Sequence, residues 1–350
     1  MKKIIKNFKP LSGKHCNSSS IHQVFHHFGH KISEEMIFGL ASGLSFVYFE
    51  FGFSPTPFIG GRIKLFEFEH NLTESLGAKI ETKKTSNIKK AYAELVKLIL
   101  DDTPVMVYVD MAELSYLGLP EGYHFGGHSI VVFGIDEENK TAYISDRDKK
   151  GYKITLNDKE NPFDYHIIPL EELEKARSSK FKPFPPENKW VVFDFKNIKE
   201  VDQGMLKKAI QKTVHCMINP PIKNLGLKGV KMLSQEVIRK WKKFDLEKLK
   251  LSALNSFIMI NKVGGTGGGI FRKMYGDFLI ESSEIMKNER IKETGRDLRK
   301  IGNDWDRAAD KFFDIYKKGA VDLLDEIAKD VEEIYFKETQ IFKDLGGQVL

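Results

Sequence analysis

The chain has 350 residues, of which 41% are hydrophobic and 30% charged, and a formal net charge of +6. This composition is typical of globular proteins with a sizeable core, and the length favours two domains. The sequence has neither zinc-finger spacing nor the aromatic motifs of RNA-binding domains, so we expect no nucleic-acid partner. Two cysteines are too few for the disulfide framework of a small secreted protein. The basic start lacks the apolar segment of a signal peptide, and no apolar run is long enough to span a bilayer. We therefore expect a cytoplasmic protein without membrane attachment.

Residues 12–29 form the first predicted element, a loop followed by a helix. Apolar residues at positions 21, 24, 25 and 28 have the spacing of one buried helical face, and Gly29 stands where such a helix ends. Cys16 would then lie in the first turn, where unpaired N–H groups and the helix dipole lower the pKa of a thiol. Cys16 is therefore either a nucleophile or a small buried cysteine that begins a helix.

The remaining pattern divides the chain near residue 196. Before it, the pattern predicts helices that begin at Ser33 and that cover 65–76, 88–100 and 170–177. It predicts strands over 44–53, from residue 79, and over 105–111, 127–135, 141–146 and 189–195. Residues 54–62 are predicted to form a loop. After it, amphipathic lysine-rich helices are predicted over 202–217, 230–241, 245–260, 270–288, 293–318 and 320–342. We predict an α+β domain over residues 1–196 and an α-helical domain over residues 197–350.

Two residues on a predicted hairpin complete a possible site. His128 begins one strand after two glycines that permit close approach, and Asp146 ends the next strand. Because the start of one hairpin strand lies beside the end of its partner, His128 could accept the Cys16 proton while Asp146 fixes its tautomer. The register is not determined to a single residue, so Asp148 is the alternative acid. A strand-end histidine and a turn aspartate without catalytic roles are the competing interpretation.

Other chemistry-bearing patterns are weaker. The spacing of His22 and His26 could hold zinc, but only Cys16 could complete the site, so we expect an ordinary helix face and no metal. The glycine-rich stretch 264–269 lacks the Gly-Lys-Ser/Thr of a phosphate-binding loop, and we expect no bound cofactor. Cys216 has the pattern of a structural thiol within a helix.

Long stretches resemble the butirosin-biosynthesis acyltransferase (BtrH-type) family. They are HCNSSSIHQVFHHFGHKISEEMIFGLASGLSFVYF, FIGGR, VYVDM, HFGGHSIVVFGID, ISDRD and PFPPENKWVVFDF, with GGGIFRKMYGDFLIES and Trp305 in the helical part. The resemblance covers nearly the whole chain. It implies a papain-like cysteine-peptidase fold converted to amide synthesis, with a helical domain that we expect to cover the active-site cleft.

The resemblance also implies a reaction and its participants. An acyl group on the phosphopantetheine of an acyl or peptidyl carrier protein would pass to Cys16 and then to an amine, a diamine or an aminoglycoside. Similar proteins act in thiotemplated antibiotic pathways such as closthioamide assembly. By position the triad is Cys16, His128 and Asp146, and the predicted substrate-binding residues are Asn17, Arg62 and Gly127.

One position departs from papain-like proteases, and two other functions remain open. Those proteases usually carry a glutamine six residues before the cysteine as an oxyanion donor, whereas Pro10 stands there in this chain. The Cys16 amide would need a second donor, for which Asn17 and His15 are the candidates. A cysteine hydrolase, either a peptidase or an amidase, would use the same triad as an N-acyltransferase, and a non-catalytic binding protein could keep the same fold.

Overall fold

The computed structural model describes residues 1–52, 54, 56–62, 67–119, 122, 124–147, 163–182, 184–261 and 268–349. Within these ranges helices combine with an antiparallel sheet, so the predicted α+β class is confirmed. The strands are β1 (Lys2–Ile4), β2 (Leu44–Phe49), β3 (Phe58–Arg62), β4 (Lys79–Lys83), β5 (Val105–Val109), β6 (His128–Asp136), β7 (Thr141–Ser145), β8 (His166–Pro169) and β9 (Trp190–Asp194). The helices are α1 (Cys16–His27), α2 (Glu34–Leu40), α3 (Glu67–Leu76), α4 (Ile88–Leu100), α5 (Leu170–Ser178), α6 (Gln203–Ile218), α7 (Gly226–Arg239), α8 (Leu246–Ile260), α9 (Gly268–Met286), α10 (Glu289–Lys318) and α11 (Leu323–Gln348).

The chain forms two compact units. The sheet unit comprises Met1–Ile37 and Gly77–Ile198, and the helical unit comprises Phe38–Leu76 and Lys199–Leu350. The transition after residue 198 lies two residues from the predicted boundary, but residues 38–76, which the sequence pattern assigns to the first domain, belong to the helical unit. The covering of the active-site cleft by residues 197–350 stays a prediction.

A seven-stranded antiparallel sheet organises the sheet unit. The strand order is β4-β9-β5-β6-β7-β8, and β1 pairs with the end of β6. The core strands β5 and β6 are buried along their whole length, which explains their nearly continuous apolar sequences. The β6–β7 hairpin is the one that the sequence predicted, and its register pairs Val131 with Ser145.

Three strands did not follow from the sequence pattern. Residues 58–62, predicted as part of a loop, form β3, which pairs with β2 in a separate two-stranded sheet of the helical unit. The FIGGR sequence contains two glycines and no alternation, so only its pairing with β2 defines it as a strand. The short strand β1 pairs with one end of β6, and the short strand β8 pairs with β7 at the edge of the sheet. With three and four residues, these strands are too short to show the alternation of apolar and polar residues by which a strand is predicted.

Glycines permit the close packing of α9 against α10 in the helical unit. A Cβ atom built on Gly276 would lie 2.5 Å from the carbonyl oxygen of Gly295, and the converse distance is also 2.5 Å. About two helical turns away, where the same two helices are again in contact, a Cβ atom built on Gly302 would lie 2.8 Å from the carbonyl oxygen of Gly269. Real side chains do not approach backbone this closely, so the helix separation depends on glycine at these positions.

We expect the Gly276→Ala variant to be destabilised by about 1–3 kcal/mol, because the added methyl group must push two helix backbones apart. Gly347→Ala is the matched control: it also lies in a helix, and nothing stands within 4 Å of its Cβ position. The control should be neutral or slightly stabilising, since alanine is the better helix former. Urea unfolding of both variants measures the difference, and equal stabilities would contradict the packing argument.

A fully buried ion pair lies in the core of the helical unit. Arg272 donates from Nε to Glu338 Oε1 at 2.7 Å and from Nη2 to Glu338 Oε2 at 2.9 Å. Arg272 also donates to the carbonyl oxygen of Ser45 at 3.0 Å, and the indole N–H of Trp305 donates to Glu338 Oε1 at 2.9 Å. The guanidinium lies near the ring faces of Trp305 and Phe46, so the buried charges are both paired and surrounded by polarisable groups.

Among the helices of the described ranges, none combines the length and the apolar character that crossing a membrane would require.

Candidate active site

Cys16 is the first residue of α1, as the sequence predicted. His15 is the N-cap residue in extended conformation, and its side chain accepts the N–H of Ser18. The helix ends at His27, and Gly29 follows with a φ of +86°, which is the left-handed C-terminal conformation that favours glycine. The Cys16 thiol therefore lies at the positive end of a helix dipole.

The polar run after Cys16 is buried against the sheet. Three side chains spaced three residues apart bond to three successive strands: Asn17 to Tyr108 at 2.8 Å, Ser20 to Ser129 at 3.3 Å, and Gln23 to Ser145 at 2.6 Å. The first half of α1 thus packs against the sheet through buried hydrogen bonds as well as through its apolar face. The prediction that Phe28 belongs to the buried face is wrong, because Phe28 follows the last helical residue and is 41% exposed.

His128 and Asp146 meet as the hairpin predicted. His128 begins β6, Asp146 directly follows β7, and His128 Nε2 lies 2.7 Å from Asp146 Oδ2. The Asp146 carboxylate also accepts hydrogen bonds from the Tyr116 hydroxyl at 2.7 Å and from the Arg147 amide at 2.6 Å. Because an ionised carboxylate can only accept hydrogen bonds, we infer that Nε2 carries a hydrogen, which leaves Nδ1 as the nitrogen that exchanges a proton.

Arg147 joins the segment after β7 to the loop before Cys16. Its guanidinium Nη1 donates to the carbonyl oxygen of Lys14 at 2.9 Å, and its own carbonyl oxygen accepts the N–H of Gly13 at 3.1 Å. Arg147 is only 3% exposed, so these bonds are shielded from water. This residue was not singled out from the sequence, since no pattern relates a strand end to a loop more than 130 positions earlier.

The three side chains perturb each other's ionisation. Burial alone would raise the pKa of the Cys16 thiol, but the positive charge of His15 and hydrogen bonds from His128 and His15 outweigh it and hold the pKa well below its usual range. Burial alone would lower the pKa of His128, but the charge and hydrogen bond of Asp146, with a smaller effect of Cys16, raise it. For Asp146, burial is outweighed by His128 and Tyr116, so its carboxyl pKa is lowered.

These shifts favour a thiolate beside an imidazolium near neutral pH. Cys16, His128 and Asp146 are 4%, 3% and 4% exposed, so little water weakens their interaction. A thiolate is the nucleophilic form of cysteine, and an adjacent imidazolium can return the proton to a leaving group. The arrangement is chemically suited to attack on an acyl carbon.

The other predicted site residues have different surroundings. The Asn17 amide donates to Tyr108, so that donor already has a partner. Gly127 precedes β6 and is buried; a Cβ on neighbouring Gly126 would lie 2.3 Å from the carbonyl oxygen of Phe184, so close backbone approach explains that glycine. Arg62 ends β3 in the helical unit.

Two predicted features fall partly or wholly outside the described residues. Asp148, the alternative acid, lies outside them, as do the first four residues of the glycine-rich stretch 264–269. Its last two residues begin α9. Across the part of the chain that the structure describes, no group of three or more His, Cys, Asp or Glu side chains could hold a metal ion.

The two cysteines should react with iodoacetamide at very different rates. At pH 6 an ordinary thiol is only about 0.3% thiolate, and burial together with the charge of Glu67 raises the pKa of Cys216. Because the pKa of Cys16 is lowered, we expect Cys16 to be alkylated at least about tenfold faster than Cys216 at this pH, although Cys216 is the more exposed thiol. Peptide mass mapping over time measures both rates, and faster labelling of Cys216 would contradict a thiolate at Cys16.

Comparison with protein families identifies the chain. Residues 15–147 match the family described as butirosin biosynthesis protein H, N-terminal, so the match runs from the residue before Cys16 to the residue after Asp146. The N-terminal part of the chain therefore belongs to the butirosin biosynthesis protein H (BtrH-type) family. Residues 171–345 match a domain of unknown function (DUF4872). No curated protein matches the chain. Membership in the BtrH-type family indicates a biosynthetic enzyme with a role in antibiotic biosynthesis.

Proposed function

We propose that this BtrH-type protein is an N-acyltransferase that forms an amide from a carrier-bound thioester and an amine, with Cys16, His128 and Asp146 as its catalytic residues. The observation that carries the proposal is the buried Cys16 thiol at a helix start, whose pKa is lowered by His15 and His128, together with the 2.7 Å between His128 Nε2 and Asp146 Oδ2. In papain-like folds a cysteine at a helix start is followed along the chain by a histidine at a strand start and then by an acid or amide residue after a paired strand. Cys16, His128 and Asp146 follow this order, which supports a papain-like fold for the sheet unit.

In the first half-reaction the Cys16 thiolate attacks the carbonyl carbon of the donor thioester. A new C–S bond forms to Cys16, the C–S bond to the carrier breaks, and the carrier thiol leaves with the proton held by His128. The products are an acyl-Cys16 thioester, a free thiol and a neutral His128. The backbone amide of Cys16, in the first turn of α1, is the proposed first donor to the oxyanion.

In the second half-reaction the amine attacks the acyl carbon of the Cys16 thioester. The C–N bond forms, the C–S bond to Cys16 breaks, and the now neutral His128 accepts the proton that the amine loses. Cys16 returns to the thiolate and His128 to the imidazolium, so one thioester and one amine become one amide and one thiol. Asp146 keeps the imidazole in the orientation that both transfers require.

The proposed partners are those that the resemblance to the BtrH-type family implies. The donor is an acyl or peptidyl carrier protein with its phosphopantetheine arm, the acceptor is a diamine or an aminoglycoside, and no further cofactor takes part. Asn17, Arg62 and Gly127 remain proposed substrate contacts.

The competing function is hydrolysis by the same residues. Water can also attack an acyl-Cys16 thioester, and it is present at far higher concentration than any amine. Holding the amine beside the thioester carbon can contribute on the order of 7–11 kcal/mol, which is enough to overcome that excess. The partition of the acyl group between amide and acid therefore separates the two functions.

The test uses an acyl pantetheine thioester as donor, with a linear diamine and an aminoglycoside as separate acceptors. We expect the amide to exceed the free acid, and the amide share to rise with amine concentration until it saturates. The matched control is the Cys16→Ala protein, which should give only the uncatalysed products. If the protein releases free acid at a rate that neither amine changes, or if it cleaves peptides, the proposed transferase activity is contradicted and the protein is a hydrolase.

A further inference from the structure

One oxygen atom of the Asp146 carboxylate has two hydrogen-bond partners. His128 Nε2 lies 2.7 Å from Asp146 Oδ2, and the Tyr116 hydroxyl donates to the same Oδ2 atom at 2.7 Å. The other oxygen, Oδ1, accepts the Arg147 amide at 2.6 Å. The Asp146 side chain is fully buried, so little water competes with these donors. Tyr116 and His128 therefore share the negative charge of a single atom.

Packing holds the Tyr116 ring in this position from two neighbouring segments. The ring stacks on the His166 imidazole, with ring centroids 4.0 Å apart and ring planes 21° apart. His166 is the first residue of β8, which pairs with β7 directly before Asp146. The preceding residue, Ser115, donates to the Glu172 carboxylate of α5 from its amide at 3.1 Å and from its hydroxyl at 2.8 Å. The place of the Tyr116 hydroxyl is thus set by β8 and α5 as well as by the bond to Asp146.

A second donor changes what the carboxylate does to the histidine. A hydrogen bond to an ionised carboxylate favours its charged form, which makes the carboxylate a weaker base. A weaker base stabilises a neighbouring imidazolium less. Burial alone would raise the pKa of Asp146, and the interactions with His128 and Tyr116 lower it against that effect, in agreement with this geometry.

We propose that Tyr116 is a positioning residue of the active site, and that by sharing Asp146 Oδ2 with His128 it limits how strongly this carboxylate stabilises the imidazolium. Tyr116 keeps its hydroxyl proton, so no bond to this residue forms or breaks in either half-reaction. The inference deepens the proposed function, because it concerns the regulation of proton transfer at the same site. It rests on that function only for its effect on turnover.

Both half-reactions need a histidine that can release its proton as well as accept one. In the first, His128 gives a proton to the departing carrier thiol, and an ordinary thiol has a pKa of only about 8.5. In the second, His128 accepts a proton from the amine. Transfer in both directions is most effective when the pKa of the carrier group lies near the working pH. A buried aspartate without a second donor would favour the charged form of His128 and slow the first transfer, and the Tyr116 hydroxyl counteracts this.

Other ionisable groups of the sheet unit also interact with the histidine and the aspartate, and they are unchanged in the variants below. They are Cys16 and His15 at the start of α1, Arg147 after β7 and His166 on β8. Burial lowers the pKa of His166 against a smaller opposing effect of the Asp146 charge, so its ring carries little charge near neutral pH. A change in the protonation of His128 when one hydroxyl group is removed therefore reports the Tyr116 bond.

The test is the pH titration of His128 by NMR of the full chain with isotope-labelled histidine rings, which requires no acyl donor. Tyr116→Phe removes the hydroxyl and keeps the stacked ring. We expect the pKa of His128 to rise by at least about 0.5, because Asp146 Oδ2 then has one donor instead of two. Tyr92→Phe is the matched control, since it removes a hydroxyl that donates to another carboxylate of the sheet unit, Glu137, at 3.0 Å. This control should leave the titration of His128 unchanged.

Replacement of Tyr116 by 3-fluorotyrosine should shift the titration in the opposite direction. The fluorine makes the phenol more acidic and therefore a stronger hydrogen-bond donor, so the pKa of His128 should fall below that of the unmodified protein. A ring that only fills space would not give opposite shifts in the two proteins. The fluorinated protein keeps every hydrogen bond of Tyr116, so it decides the matter if Tyr116→Phe does not fold.

The effect on turnover is measured with the acyl pantetheine thioester and a diamine. Tyr116→Phe should lower kcat at least about threefold and change KM little, because the hydroxyl bonds Asp146. An unchanged or lowered pKa of His128 in Tyr116→Phe, or an unchanged or raised pKa in the fluorinated protein, would overturn the inference. The expected shifts in a protein that transfers no acyl group would instead retain the role of Tyr116 and reject the proposed function, so the two failures are distinguishable.

Discussion

The Cys16→Ala variant is expected to keep its fold and to form no amide from a thioester donor. His128→Ala should lower the rate by about 10²–10⁴-fold, because the proton then has no positioned carrier in either half-reaction. The two residues act as a unit, so the double variant should be no slower than Cys16→Ala. Steady-state assays with the pantetheine thioester and a diamine measure all three proteins.

The role of the Asp146 carboxylate is tested in the same assays as the Cys16 and His128 variants. Asp146→Asn should reduce the rate less than His128→Ala does, since the imidazole remains but its orientation is no longer fixed by a carboxylate. Asp148→Asn is the control and should stay close to the unmodified protein, because Asp146 already bonds His128. A larger loss from Asp148→Asn, or an active Cys16→Ala protein, would contradict the proposed residues.

Loss of one partner from the buried ion pair should produce the largest change in stability. Glu338→Ala leaves the Arg272 guanidinium and the Trp305 N–H without their carboxylate in a fully buried core, and we expect a loss of about 3–5 kcal/mol in the free energy of unfolding. Urea unfolding followed by circular dichroism measures it.

An exposed pair on α10 supplies the control for that experiment. Lys300 donates to Asp297 at 2.8 Å, with both side chains more than half exposed, so Asp297→Ala should change the stability by less than about 1 kcal/mol. Replacing both buried partners by apolar residues, as in Arg272→Met with Glu338→Leu, should recover part of the loss. Equal effects of Glu338→Ala and Asp297→Ala would show that the buried pair does not hold the helical unit together.

Features of the site that depend on local pattern could be predicted from the sequence. The start of α1 at Cys16 follows from apolar spacing and from Gly29, and the approach of His128 to Asp146 follows from a hairpin with a short turn. In each case the interacting residues lie within one element or one hairpin, so the period and the turn determine their neighbours.

Features that depend on contacts between distant segments could not be predicted. Arg147 bonds a loop 133 residues earlier, and Glu34 reaches the cap of α1 from the next helix. The Arg272–Glu338 pair joins residues 66 positions apart, and β3 is a strand only because β2 lies beside it. Buried polar partners leave no periodic signal, because their positions are fixed by the packed fold.

The most direct test of the proposed chemistry is the intact mass of the protein after brief exposure to an acyl pantetheine thioester. We expect one acyl group to be added, to map to Cys16, and to disappear on addition of a diamine as the amide accumulates in equal amount. The Cys16→Ala protein should acquire no mass. Absence of any adduct on Cys16, or an adduct that water discharges as fast as the diamine does, would contradict the proposal that Cys16 carries the acyl group to an amine.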